Sequence, residues 1–324
     1  MQKERHSLDE TDRKIAAVLM SSPRASWRAV GEALGISERT VVRRAAPLYH
    51  DGTLRATAVR NPACFPDMVP MALRIRCRPH RIAAVATTLA RRPDTVWVDV
   101  LGGGDEICTV LFLDGAAARN ALLLRDLPAT AAVQSWTSHA LLRVFPAGFA
   151  WNAGLLPKEF VSLMDDAQPL ALAPEPLPID RPLIDGLIED GRATYTELAH
   201  RTGTTALTAR RRLDTLTGGQ VLRLATEIDL ALLGVHAEAL LWITVAPGGL
   251  EQAGQELGRH PQVRFTAATT GSSNLLVAAA AADLDALYTF LTDSIGALEH
   301  ITGIEVTPIL TTVKRTGLVR PGSI

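Results

Sequence analysis

The chain has 324 residues, of which 47% are hydrophobic and 5% aromatic, and its formal net charge is −1. That is long enough for two or three domains and too apolar for a disordered chain. The longest apolar run, Leu275 to Ala282, is far too short to span a bilayer, and the opening MQKERHSLDE has no apolar core, so neither a transmembrane helix nor a signal peptide is expected.

The charge is unevenly spread. Residues 1–60 carry 11 Lys and Arg against 7 Asp and Glu, whereas residues 226–324 carry 5 against 10, which suggests different tasks for the two ends. Cys64, Cys77 and Cys108 are scattered and form no C-x-x-C pair. A reducing cytosol suits them; a zinc site or a disulfide framework does not.

In chain order, acidic Asp9, Glu10 and Asp12 suit a helix N-terminus, and Ile15, Val18 and Leu19 form the apolar stripe of that helix. Ser26 caps a short helix from Trp27 to Leu34, Gly35 supplies a turn, and Ser37 caps a third helix that buries Val41, Ala45 and Leu48. Pro47 lies inside that helix and is expected to bend only its last turn. Asp51-Gly52 ends it, and LRATAV (54–59) alternates as a strand. Next come ALRIRC (72–77), a helix over 80–92, TVWVDVL (95–101), the turn GGGD, ICTVLFL (107–113), a helix over 115–126 and AVQSWTSHALLRVF (132–145). The stretch AQPLALAPEPLPID (167–180) has four prolines and reads as a linker.

A shift of 168 positions then repeats the first part: Asp12 falls on Asp180, Arg24-Ala25 on Arg192-Ala193, Gly35 on Gly203, Arg43-Arg44 on Arg211-Arg212 and Leu54-Arg55 on Leu222-Arg223. Ala209, Leu213 and Leu216 repeat the buried face, and Gly218-Gly219 the stop. Beyond them lie ALLWITVAP (239–247), a helix over 248–259, a hairpin of VRFTAATTG (263–271) and NLLVAAAAA (274–282), a helix over 283–298 and ITGIEVTPILTTVK (301–314). The order strand, helix, strand, strand, helix, strand gives a four-stranded antiparallel sheet with two helices on one face. The other face needs a cover, and the second copy is expected to supply it by pairing face to face with the first.

The run LDETDRKIAAVL…RASWRAVGEALGISERTVVRR…GTLR resembles the DNA-binding domain of the Lrp/AsnC transcription regulators, and V…TTGSSNLLVAA…VTPILTTVKRTG is similar to their ligand-sensing domain. The resemblance implies an α+β chain in which two winged helix-turn-helix domains (1–60 and 179–225) alternate with two ferredoxin-like βαββαβ sensing domains (68–146 and 234–316), joined by a linker over 147–178. It also implies a cytoplasmic regulator that binds double-stranded DNA, responds to an amino acid or related metabolite, forms an intramolecular pseudo-dimer and associates further.

The residues are consistent with that implication. With Val41, Ala45 and Leu48 buried, Arg39 and Arg43 share an exposed line and Thr40 and Arg44 the adjacent one. Guanidinium forks there reach guanine edges or clamp phosphates, and the helix start capped by Ser37 offers amides to phosphate. The matching set in the second copy is Leu207, Thr208, Arg211 and Arg212, but Thr204-Thr205 replaces Ile36-Ser37 and residues 180–225 carry only 7 basic against 6 acidic residues. The second reader is therefore expected to be weaker or structural. By resemblance, the effector sits at the turns between sensing strands, with Gly102, Gly103 and Asp105 in one copy and Thr270, Gly271, Ser272 and Asn274 in the other; Asp105 holds an ammonium group more firmly than Asn274 does. LGGGDE lacks the Lys-Ser/Thr of a phosphate loop, and hairpin chemistry without a ligand is the other reading of these turns.

The eight histidines have no metal-ligand spacing, and no H-E-x-x-H or G-x-S-x-G occurs, so no catalytic residue, metal or cofactor is assigned and the chain is not expected to be an enzyme. His236, His260 and His300 read as surface or loop residues, and Trp27, Trp97, Trp136 and Trp242 as core. Two alternatives stand beside the regulator: a nucleoid-type architectural DNA-binding protein, and an enzyme like the siroheme decarboxylases, which share this architecture. The latter needs a histidine at the hairpin, and neither TTGSSNLLV nor LGGGDEICTV contains one.

Overall fold

The computed structural model describes residues 8–145, 151, 154–156 and 175–323. The expected linker lies mostly outside them, as do the first seven residues of the N-terminal segment. The chain folds as two compact units, one from Met1–Arg60 and Phe149–His236, the other from Asn61–Gly148 and Ala237–Ile324. Among the described residues no helix is long and apolar enough to cross a membrane.

The first unit holds both helix-turn-helix heads. Helices α1 (Glu10–Ser21), α2 (Trp27–Leu34) and α3 (Glu38–His50) are followed by strand β1 (Arg55–Arg60). Asp9 caps α1, Ser26 caps α2 and Ser37 caps α3, each accepting a backbone N–H with its side-chain oxygen. Gly35, at φ 65°, occupies the left-handed turn between α2 and α3 that other residues enter only under strain. Pro47 leaves α3 running on to His50, because its missing donor falls in the last turn.

The second unit begins with β2 (Met68–Cys77), α4 (Ile82–Arg91), β3 (Thr95–Leu101), β4 (Glu106–Asp114), α5 (Gly115–Ala121, prolonged by a wide turn over Leu122–Asp126) and β5 (Val133–Val144). The chain then returns to the first unit for α6 (Asp180–Glu189), α7 (Tyr195–Thr202), α8 (Ala206–Gly218) and β6 (Leu222–Glu227). It finishes in the second with β7 (Ala237–Val245), α9 (Leu250–Gly258), β8 (Val263–Thr269), β9 (Leu275–Ala281), α10 (Leu284–Thr289, prolonged over Phe290–Ile295), β10 (Ile301–Arg315) and β11 (Leu318–Val319). The shift of 168 positions holds throughout: β3 and β8 begin 168 residues apart, and so do β5 and β10.

In each sensing copy the strands take the order expected of a βαββαβ fold, β3-β4-β2-β5 and β8-β9-β7-β10. The copies join at both edges, through Leu141↔Thr269 on β5 and β8 and through Ile309↔Leu101 on β10 and β3, so the nine-stranded sheet closes on itself with β11 paired only to β10. Helices cover the outer face over Leu73, Ile75, Val98 and Leu111 in one copy and Leu241, Ile243, Leu275 and Val277 in the other. The inner faces cover each other, as expected. Trp97 meets Phe265 edge-on at 5.5 Å, and the Arg74 guanidinium lies 5.4 Å from the Trp242 ring.

That interior holds charged groups as well as apolar ones. Asp99 is fully buried, accepts the Trp97 indole N–H, and shares its surroundings with Arg264, Arg315 and Glu238. Arg315 donates to Glu238 at 2.7 Å and Arg264 lies 3.0 Å from the same carboxylate. Burial pushes Asp99 up to about 6, while for Glu238 burial is outweighed by Arg315 and Arg264, which hold it below its ordinary value.

Candidate nucleic-acid interface and effector hairpins

The two heads are held together by contacts that repeat under the same shift. Strands β1 and β6 pair antiparallel from Arg55↔Glu227 to Arg60↔Leu222, with Thr57 opposite Ala225 at the centre. Those central residues are themselves 168 apart, so a pseudo-two-fold axis passes between them. Arg24 reaches across to the Gly191 carbonyl at 2.8 Å, and Arg192 reaches back to the Pro23 carbonyl at 2.7 Å. Each guanidinium stacks on the other head's aromatic: Arg24 lies 4.9 Å from the Tyr195 ring and Arg192 lies 4.1 Å from the Trp27 ring. Trp27 is therefore half-buried at this contact and is not a core residue of its own head. Gly191 has no room for a side chain, since a Cβ there would lie 2.5 Å from the Thr57 nitrogen.

On this frame α3 and α8 occupy equivalent places. In α3, Ser37 Oγ accepts the Thr40 N–H at 3.1 Å, Val41 and Ala45 are fully buried, and Arg39 and Arg43 are exposed with no side-chain hydrogen bond or ion pair among the described residues. In α8, Thr205 Oγ1 takes the Thr208 N–H at 3.2 Å, so threonine caps as serine does; Thr208 and Arg211 are exposed.

Arg44 and Arg212 do not share that freedom, which corrects their reading as exposed contacts. Arg44 donates through one nitrogen to Asp9 at 2.6 Å and to Asp12 at 3.0 Å. Arg212 lays Nε and a terminal nitrogen on Asp180, both at 2.6 Å, and also reaches the Glu175 carbonyl. The pairs tie each recognition helix to the first helix of its own head. Sequence reading missed them because the partners lie 32 residues apart, though the repeat itself carried the signal: Asp12 and Asp180 recur with Arg44 and Arg212.

The hairpins meet the opposite copy's last strand. The Gly102 N–H donates to the Pro308 carbonyl at 2.8 Å, and the Thr270 N–H to the Ala140 carbonyl at 3.0 Å, the same contact shifted by 168. In the first hairpin the Asp105 carboxylate folds over Gly103 and lies 3.6 Å from Arg76. In the second, Thr270 Oγ1 accepts the Ala140 N–H, and the His139 ring donates from Nδ1 to the Thr270 carbonyl at 2.7 Å and packs on Trp242. Gly271, at φ 115°, is pressed against that ring, and the Ser272 carbonyl accepts from Thr244.

Asn274 is spent on the backbone. Its oxygen accepts the Val245 N–H at 2.9 Å and its nitrogen donates to the Val245 carbonyl at 2.8 Å. The strand register also makes Asn274 the counterpart of Glu106 in the first copy, since Ile107 pairs with Val100 as Leu275 pairs with Ala268. Asp105 and Asn274 are thus not equivalent: the place of Asp105 is taken by Ser273 in the second copy, which has no carboxylate or amide there. His139 was missed because it comes from the other copy's β5 and carries no local motif. One further opening, a cleft of about 460 Å³, lies on the helical side of the first copy, floored by Val85, Leu89, Leu122 and Leu127 and rimmed by Arg78, His80 and Arg81. In the second copy His300 packs on Gly249, the counterpart of Arg81.

Comparison with known proteins decides the family. The AsnC-type helix-turn-helix domain matches residues 8–48 and 178–217, and the Lrp/AsnC ligand binding domain matches residues 238–319. The chain belongs to the Lrp/AsnC family. An uncharacterised HTH-type transcriptional regulator of Pyrococcus horikoshii is 30% identical over 143 residues, 44% of this chain and 90% of that protein. The transcriptional regulator AzlB of Bacillus subtilis is 25% identical over 141 residues, 42% of this chain and 90% of that one. Such relatives are single modules, and this Lrp/AsnC member carries two. Over the whole chain, the crystal structure of the siroheme decarboxylase NirDL is similar in fold, with a TM-score of 0.60, 13% identity and coverage of 96% of this chain and 93% of that one.

Proposed function

We propose that this chain is a ligand-responsive, sequence-specific DNA-binding regulator that works as a pseudo-dimer in the cytoplasm and is not an enzyme. The observation that carries this is the pair of capped helices on one body, α3 and α8, whose Arg39, Arg43 and Arg211 are exposed and have no acid partner among the described residues. In this reading Ser37, Arg39, Thr40 and Arg43 of the first head and Thr208 and Arg211 of the second enter major grooves, while Arg44 and Arg212 hold the helices in place. An amino acid or related metabolite binds at the hairpins, among Gly102, Gly103 and Asp105 or Thr270, Gly271, Ser272 and Asn274, and further chains associate on DNA.

The test is binding of the purified chain to duplex DNA from its own promoter region, with and without a panel of amino acids. Selective binding that an amino acid shifts supports the reading. Binding with neither selectivity nor ligand response supports the architectural alternative. The enzyme reading has one observation in its favour, His139 at the second hairpin, and its test is decarboxylation of an added iron tetrapyrrole.

A further inference from the structure

The pseudo-two-fold axis makes the two heads geometrically alike, yet the faces they offer are not the same. Both recognition helices have 13 residues, both are capped by a hydroxyl at the same place, and Thr40/Thr208 and Arg43/Arg211 repeat. The shift of 168 sets Arg39 on Leu207, Glu38 on Ala206 and Val42 on Arg210. The last exchange adds a guanidinium that leans on its own head, 5.9 Å from the Tyr195 ring and 3.9 Å from Asp214, while 64% of the side chain stays exposed. The first changes most. Leu207 stands in the first turn of α8, 57% exposed, where the first head offers a long guanidinium fork.

We infer, building on the DNA-binding reading, that the chain recognises a site whose two half-sites differ at one defined base pair: guanine under Arg39 and thymine under Leu207. An arginine in the first turn reaches O6 and N7 of guanine, whereas an aliphatic side chain in the same place offers no donor and covers the thymine methyl group. Thr40 with Arg43 and Thr208 with Arg211 read the shared part of each half-site, so the whole is a palindrome broken at that one pair. A homodimer of single modules presents two copies of one face. Here the β1–β6 pairing and the crossed Arg24 and Arg192 contacts hold one face of each kind on one body. Binding is therefore directional, and the chain sits on its operator in one orientation.

The experiment is in vitro selection of duplex DNA from a randomised pool by the full chain, followed by affinity measurements on the selected site. The expected motif carries guanine in one half-site and thymine in the other. Replacing that thymine by guanine weakens binding about 5- to 100-fold, as one mismatched pair does. Replacing it by deoxyuridine, which lacks only the methyl group, gives a smaller loss. Leu207→Arg turns the selected motif into a true palindrome with guanine on both sides and makes binding indifferent to the methyl group; Arg39→Leu gives the palindrome with thymine. Leu207 is exposed, so circular dichroism of its variant should match the parent. A symmetric motif selected by the unmodified chain overturns the inference and leaves the DNA-binding reading standing. If no motif is enriched at all, the DNA-binding reading falls with it.

Discussion

In the first head Arg44 reaches Asp9 and Asp12 through a single nitrogen; in the second, Arg212 lays two on Asp180 and is more deeply covered, 11% exposed against 28%. The supports of the two heads have been kept, and in the second head strengthened, while the solvent face of the same helix has changed from arginine to leucine. The sensing copies show the same division. Their strands keep one register, but Asp99 of the first is matched by Ala267 in the second, and the cleft under Arg81 is matched by His300 packed on Gly249. In the heads the arginines that cross between the copies and those that brace the recognition helices repeat, whereas Arg39 on the exposed face and, in the sensing copies, Asp99 in the interior do not.

The largest effect should come from the contacts the two heads share. Arg43→Ala combined with Arg211→Ala removes both repeated arginines and should weaken operator binding at least roughly 30-fold, about 1–3 kcal/mol for each base contact. Gel-shift titration of the single and double variants measures it, and a loss confined to Arg43→Ala would break the equivalence of the heads.

Asp99 is next. Its carboxyl is raised from 3.8 to about 6, so the folded state holds a proton that the unfolded chain releases. Its contribution is fully present below pH ~4 and is lost as the pH rises through about 6. Asp99→Asn removes that dependence, and relative to the parent it should gain about 3 kcal/mol between those pH values. Urea unfolding followed across pH tests it.

The struts come third. Arg212→Ala should cost about 2 kcal/mol, the value of a forked charged hydrogen bond, and Arg44→Ala measurably less. Equal losses in thermal unfolding would remove the contrast between the heads. Smallest is the contrast between hairpins: Gly271→Ala meets the His139 ring at 2.6 Å from a left-handed backbone and should cost ~1–2 kcal/mol, while Gly102→Ala, 3.3 Å from the Pro308 carbonyl, should cost little.

Much of this was legible in the sequence. Ser26, Ser37 and Gly35 marked helix starts and a turn, because capping chemistry is local, and TVWVDVL was placed as a strand to the residue. Periodicity tells which face of a strand is apolar but not which edge it pairs with, so the joins of β5 to β8 and β10 to β3 were invisible. The same limit hid the crossing of Arg24 and Arg192, whose partners are backbone carbonyls in the other head. Asp99 was missed because a strand buried on both faces gives no alternation to mark an inward carboxylate. At the candidate site the exposed Arg39, Arg43 and Arg211 were read correctly as exposed, while Arg44 and Arg212 were not, since an arginine's sequence position does not reveal an acid two helices away.

The proposed regulator grips DNA with two recognition helices on one body. The most direct measurement is hydroxyl-radical footprinting of the full chain on its promoter DNA, with affinity followed through a salt series. Each bound chain should protect two stretches one helical turn apart, and the logarithm of affinity should fall linearly with the logarithm of salt. A single protected stretch, or an affinity indifferent to salt, would contradict it.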